Sequence, residues 1–195
     1  MKKNPAKIAF ASGAAVLAGM ASTAQAQDVA GLYGGLSYNL PVAGDMKFIG
    51  YSSDSYGVNG SQGGIFFGYN FALANNWVAG GEIAYSTGYG VDRYSEFEIK
   101  DVVDLKARFG KTFGTTLVYG VVGYSMADVD VKNAPVGGSD GNGASFGLGF
   151  ETGIGSKGFI GAEVLKRHLG AKVDEYYGYK IDDMTTVSVR AGFRF

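Results

Sequence analysis

Residues 185–195 read TTVSVRAGFRF, and the fold turns on which way this stretch faces. Thr185, Val187, Val189, Ala191, Phe193 and Phe195 alternate with Thr186, Ser188, Arg190, Gly192 and Arg194. Successive side chains leave a β-strand on opposite faces, so this is a strand with an apolar side and an arginine-bearing side. In a soluble sheet the arginines would meet water and the phenylalanines a core. Inverted, the apolar side meets lipid and the arginines point into a closed barrel. The remaining strands decide between the two.

Period-2 segments bounded by turn residues recur at 31–39, 63–71, 77–86, 101–113, 116–125, 143–153 and 158–168, before the terminal one at 184–195. Within 101–113, Asp104, Lys106, Arg108 and Gly110 share one face against Val103, Leu105, Ala107 and Phe109. Within 143–153, Ser145, Gly147, Gly149 and Glu151 oppose Phe146, Leu148 and Phe150. Within 63–71, Ile65, Phe67, Tyr69 and Phe71 oppose Gly64, Phe66, Gly68 and Asn70. A face of charge and glycine is a poor exterior for a soluble, lipocalin-like barrel or sandwich. It suits the tight lumen of a small barrel whose bulky face meets lipid.

The connections point the same way. They are short at 72–76, 114–115 and 154–157, and long after the first, third, fifth and seventh strands, which puts short and long at opposite ends. Pro41 and Pro135 fall in long connections, where no ladder bond is lost. Phe71, Trp77, Phe113, Phe159 and Phe195 cluster at the short-turn end and Tyr38, Tyr85 and Tyr124 toward the other, as interfacial girdles would. Each strand is near the roughly 9 to 11 residues that a tilted strand needs to cross a bilayer. The expected fold is all-β: an eight-stranded antiparallel, up-and-down transmembrane β-barrel.

The start of the chain fits export. MKKNPAK is basic, IAFASGAAVLAGM is a 13-residue apolar run and ASTAQA supplies small residues, the layout of a cleavable signal peptide over 1–26. The run is too short for a spanning helix, which needs roughly 20 apolar residues. Cleavage between Ala26 and Gln27 leaves a barrel domain over 27–195 and removes Lys2, Lys3 and Lys7 but no acid. The mature balance is then mildly acidic, which argues against a nucleic-acid partner. There is no cysteine, so no disulfide holds this exported chain together. With 33 glycines, 13 Phe, 13 Tyr and 3 prolines, the composition suits packed β-structure rich in turns.

The first strand GLYGGLSYN, the alternating series and the terminal VRAGFRF together resemble the small outer-membrane barrels of Gram-negative bacteria, of the OmpA/OmpX-like, porin-family type. That resemblance covers the whole mature chain and is specific for architecture rather than function. It implies a monomer in the outer membrane, in contact with lipid and lipopolysaccharide. It also implies that Phe193 and Phe195 are the signal read by the barrel-assembly machinery. OmpA itself adds a periplasmic peptidoglycan-binding domain, and the match is to the barrel alone.

The inward charges are Glu82, Asp104, Lys106, Arg108, Glu151, Glu163, Arg167, Arg190 and Arg194, four acids against five bases. In a lumen of eight strands, filled by side chains, such charges must pair, because an unpaired buried charge costs several kcal/mol. The expectation is a structural salt-bridge network; a narrow porin whose selectivity these charges set is the alternative. Acyl-transfer chemistry, as in lipid-modifying barrels, needs a nucleophile and a base within reach. The one histidine, His168, has no serine near it in sequence, so no catalytic site is expected. In DVDVKNAPVGGSDGNG, Asp128, Asp130, Asp140 and Asn142 lack the spacing and closing glutamate of an EF-hand loop. They read as a solvated surface loop, so neither metal nor cofactor is expected. FIGYSSDSYGVNG combines Tyr, Ser and Gly, an adaptable contact surface for a host, phage or matrix ligand.

Overall fold

The computed structural model describes residues 28–48, 55–91, 97–131, 139–173 and 179–195, so the expected signal peptide and the Ala26–Gln27 site lie outside it. The strands are β1 (Gly31–Phe48), β2 (Ser55–Asn59), β3 (Gln62–Ala72), β4 (Trp77–Val91), β5 (Phe97–Phe113), β6 (Thr116–Val131), β7 (Ser139–Ile154), β8 (Gly158–Val173) and β9 (Tyr179–Arg194). All pairings are antiparallel between neighbours, and β1 closes the sheet on β9 from Tyr33↔Arg194 to Phe48↔Tyr179. β2 and β3 both pair with β1 and β4, so they are one stave interrupted at Gly60 and Ser61. The result is a closed eight-stranded antiparallel barrel. Closure satisfies the backbone groups that an open edge would leave bare in lipid.

Among the described residues no helix is long and apolar enough to cross a membrane. The sheet does the crossing. The tight connections carry left-handed backbone: Asn75 and Asn76 in the 3-10 turn Ala74–Asn76, Gly114 after β5 and Gly155 after β7. Glycine adopts this conformation freely and asparagine tolerates it through its short polar side chain.

Three expectations need correction. Most strands run to 15–18 residues rather than 9–13, so much of what reads as long connection continues the sheet. Gly, Pro, Asp and Asn interrupt the apolar alternation in several of those extensions, as in LPVAGD (40–45) and SDGN (139–142), while the ladder continues through them. Pro41 lies inside β1 rather than in a loop. The β1–β3 ladder ends at Asn39↔Gln62 and β1–β2 resumes at Asp45↔Gly57, so its missing N–H falls where that side has no partner strand. Against β9 the register shifts between Pro41 and Ala43. Phe159 belongs to no girdle: it is 2% exposed inside the barrel, because it shares parity with inward Gly161 and Glu163.

The outer wall is apolar. Leu148 is 71% exposed, and Phe67, Leu105, Phe109, Val122, Phe146, Val189 and Phe193 all face outward. Trp77 stacks on Phe109 with ring centroids 4.8 Å apart, and Tyr69 meets Phe71 at 4.6 Å. Tyr38, Tyr85 and Tyr124 sit where the wall turns polar: Tyr85 donates to Asp101 (2.5 Å) and Tyr124 to Asn142 (2.6 Å).

Candidate functional site: the charged lumen

Inward positions alternate with the lipid-facing ones on every stave, and the ladder gives each charge except Arg194, which stands across from Tyr33, a small cross-strand neighbour. Glu163 lies between Gly149 and Ser188, Arg190 between Gly161 and Ser37, and Glu82 beside Gly68. The space left by glycine and serine is what lets long charged side chains reach across the lumen. All nine predicted charges are buried there, from Glu151 at 1% exposure to Arg194 at 9%.

Glu82 is the hub. Its carboxylate meets Lys106 at 2.6 Å, Arg108 at 3.0 Å and Arg190 at 2.5 Å, and accepts from the Tyr33 hydroxyl at 2.9 Å. Glu163 takes Lys106 at 2.7 Å, Arg190 at 2.8 Å and the Tyr119 hydroxyl at 3.1 Å. Glu151 takes Arg108 at 2.8 Å, and Arg194 approaches it at 3.8 Å from the short-turn mouth. Nearer the other end, Arg167 holds Asp104 in a two-point contact (2.8 and 2.6 Å), while Ser125 donates to the same carboxylate at 2.6 Å. The second Arg167 amine donates to Thr186 at 2.8 Å. Planar guanidinium groups suit such forked contacts, which a lysine does not reproduce.

Aromatic rings fill what the charges leave. The Arg108 guanidinium lies over Tyr119 (3.8 Å) and near Tyr33 (4.9 Å), Arg190 over Phe66 (4.0 Å) and Arg194 over Phe159 (4.7 Å). Each of these four rings stands directly across the ladder from a glycine: Tyr33 from Gly68, Phe66 from Gly35, Tyr119 from Gly149 and Phe159 from Gly192. A Cβ at any of the four glycines would overlap that ring. Beside Lys106 and Arg167 only about 10 Å³ of space remains, at most one water.

Reading the sequence by charge misses Tyr33, Tyr119, Phe66 and Phe159 as lumen partners. The signal was parity: Tyr119 alternates with outward Val118 and Gly120, and Tyr33 with outward Leu32. It also misses that the lumen is partly apolar, since Val78, Leu117, Tyr119, Val121 and Leu165 pack together with Val29.

His168 sits outside the lumen, on the outer wall at the long-connection end. Its Nδ1 lies 2.5 Å from Asp183, whose other oxygen meets Lys166 at 2.8 Å, and its ring is 5.4 Å from that of Phe146. The Lys166 hydrogen bond, with help from His168, holds the Asp183 carboxyl below its ordinary range. Asp128 is exposed there and Asn142 accepts from Tyr124, while the Asp130 and Asp140 side chains lie outside the described residues. Among the described residues no three acids, histidines or cysteines group as a metal site. Phe193 and Phe195 are 65% and 75% exposed on the outer wall.

Comparison with known proteins agrees with this architecture. Ail, the attachment invasion locus protein of Yersinia pestis, was solved in complex with the heparin analogue sucrose octasulfate. It aligns with 85% of this chain and 99% of its own at 16% identity and a TM-score of 0.50. Neisserial surface protein A aligns with 84% of this chain and 97% of its own, at 14% identity and a TM-score of 0.57. At such identities the likeness is one of fold. No curated protein matches the sequence. The model of the outer membrane protein beta-barrel domain matches residues 12–195, and the chain belongs to that family of Gram-negative outer-membrane barrels.

Proposed function

We propose that the protein is a non-conducting, non-enzymatic barrel that supports the envelope and meets its surroundings through the ends of its strands at the long-connection side. The observation that carries this reading is the filled lumen. Two glutamates, a lysine and two arginines interlock across its middle, with two tyrosine hydroxyls completing their hydrogen bonds. A path for solutes would require breaking several buried ion pairs at once, each costing several kcal/mol. His168 hydrogen-bonds Asp183 and packs on Phe146, and among the described residues no serine, threonine or cysteine contacts its ring to complete an acyl-transfer triad, which favours a role without catalysis.

The surface role rests on polar strand extensions beyond the lipid band and on fold likeness to an attachment protein. Ail was solved with a sulfated sugar analogue, but the long-connection segments of this chain carry more acids than bases. That charge favours a neutral or cationic host, phage or matrix ligand over a heparin-like one, with lipopolysaccharide as the surrounding lipid. On the same reading, residues 1–26 are removed on export, and Phe193 and Phe195 address the chain to the assembly machinery as an outward aromatic pair.

The test is conductance of the refolded protein in planar bilayers. The expected result is no steady openings. Steady openings whose size or ion preference changes in Glu82→Ser or Arg190→Ser would establish the narrow-porin reading instead.

A further inference from the structure

A groove of about 540 Å³ runs over the outer wall at the short-turn end, across the seam where β8 and β9 meet β1. It is lined by Leu36, Ile154, Ser156, Lys157, Ala191 and Phe193, with glycine backbone as its floor. Its depth comes from missing bulk. Outward-facing Ala191 pairs with Leu36 and Ile160, and outward-facing Gly158 pairs with Ile154 and Phe193, so two small residues sit among four large ones. Small residues also face outward elsewhere, at Gly81, Ala107 and Ala144, but higher on the wall and away from the turn that carries Lys157.

In a bilayer this groove faces hydrocarbon, and its volume lies in the range of small-molecule sites. Lys157, at the end of the turn beginning at Gly155, stands exposed at its mouth, and no acidic side chain lines it. Lys111, 5.7 Å from the Trp77 ring, adds a second base on this rim, against the exposed Asp28 of the adjoining cavity. The opposite end of the outer wall presents Asp101, Asp128 and Asp183, the last paired with Lys166 and His168. The short turns mark the periplasmic side, so the basic rim meets the leaflet whose headgroups carry phosphodiesters, and basic pockets at such a depth bind lipid headgroups.

We propose that this groove is a site for one glycerophospholipid. One acyl chain lies over Ala191 and Gly158 between Leu36, Ile154 and Phe193, and the phosphate is held by the Lys157 ammonium and the Ser156 hydroxyl. The occupant is lipid rather than a second copy of the chain, because the groove joins an apolar floor to a single cationic mouth at headgroup depth.

The test is native mass spectrometry of the refolded protein in detergent, titrated with dioleoylphosphatidylglycerol or with dioleoylglycerol, which has the same chains without the phosphate. One phosphatidylglycerol per barrel is the expected stoichiometry. Dioleoylglycerol binding and phosphatidylglycerol binding to Lys157→Glu should each be weaker by about tenfold or more, the loss expected of one charge-assisted contact. Ala191→Phe fills the groove and should abolish binding, whereas Ala144→Phe, outward-facing elsewhere on the wall, should not change it. Heat-modified gel mobility checks that each variant is folded, and Lys157→Glu lies in a turn outside every strand. Equal affinity for both lipids, equal behaviour of the two phenylalanine variants, or dimers in place of lipid adducts would overturn the proposal.

Discussion

Glu82 shows what one residue carries in this lumen. Its carboxylate is fully enclosed and shared by Lys106, Arg108 and Arg190. A buried ion pair is weak evidence of net stability, because desolvation offsets much of the attraction; removing one partner is different, since it strands the other charge in a poor dielectric. Glu82→Gln keeps the volume and leaves three cations around a neutral amide. The expected loss is about 3–5 kcal/mol, read as equilibrium urea unfolding in phospholipid vesicles. Asp183→Asn is the internal comparison: it breaks a pair with Lys166 that is about two-fifths exposed on each side. Exposed pairs contribute about 0–1 kcal/mol, so that variant should unfold near the wild-type urea concentration. Equal losses for the two would mean that water reaches Glu82 and that the lumen is wetter than its packing implies.

At the scale of strands, the joint between β6 and β7 couples ring to glycine. Tyr119 stands across the ladder from Gly149, and a methyl group there would overlap its ring. Gly149→Ala should destabilise by about 1–3 kcal/mol as an overpacked site. In a Tyr119→Ala background the same change should cost close to nothing, so the two substitutions should be strongly non-additive in the same unfolding assay. Additive losses would place the cost of Gly149→Ala in the backbone rather than against the ring. This joint also marks how far the sequence could be read. The faces of β5, β7 and β9 were legible because charge and bulk separate cleanly at period 2, as in Asp104, Lys106 and Arg108 against Leu105 and Phe109. β6 was opaque, because Leu117, Tyr119 and Val121 point inward while Val118 and Val122 point outward, and hydrophobicity cannot separate two apolar faces. Partners across the lumen were opaque for a further reason. Parity fixes which way Arg190 points, but its reach to Glu82 on the far side depends on closure and shear, which no local pattern encodes. The upper strands hid as loops because Gly, Pro, Asp and Asn interrupt their period-2 pattern, as in LPVAGD (40–45) and SDGN (139–142).

For the whole molecule, the strands are longer than the membrane is thick. About 10 residues of a tilted strand cross the hydrocarbon, so roughly five more rise beyond it on the long-connection side, or roughly 12 Å. The outer wall agrees in kind: above Tyr38, Tyr85 and Tyr124 it presents Thr87, Asp101, Asp128, Asn142, Lys166 and His168 in place of aliphatic side chains. The molecule is then a lipid-facing band with a polar crown, and the crown is the surface offered to anything outside the cell. An arginine scan of outward positions measures where the band ends. Leu148 lies about six residues above the short turn of its strand, near mid-membrane, and Leu148→Arg should cost about 2–4 kcal/mol in vesicles. Ile154→Arg, at the periplasmic interface, should cost about 0–1 kcal/mol, and Asn142→Arg, in the crown, should fall in the same small range. The cost should thus peak at Leu148 and fall toward both ends. A penalty at Asn142 as large as that at Leu148 would mean that lipid covers the crown, and the strand ends would then have no aqueous face with which to meet a ligand.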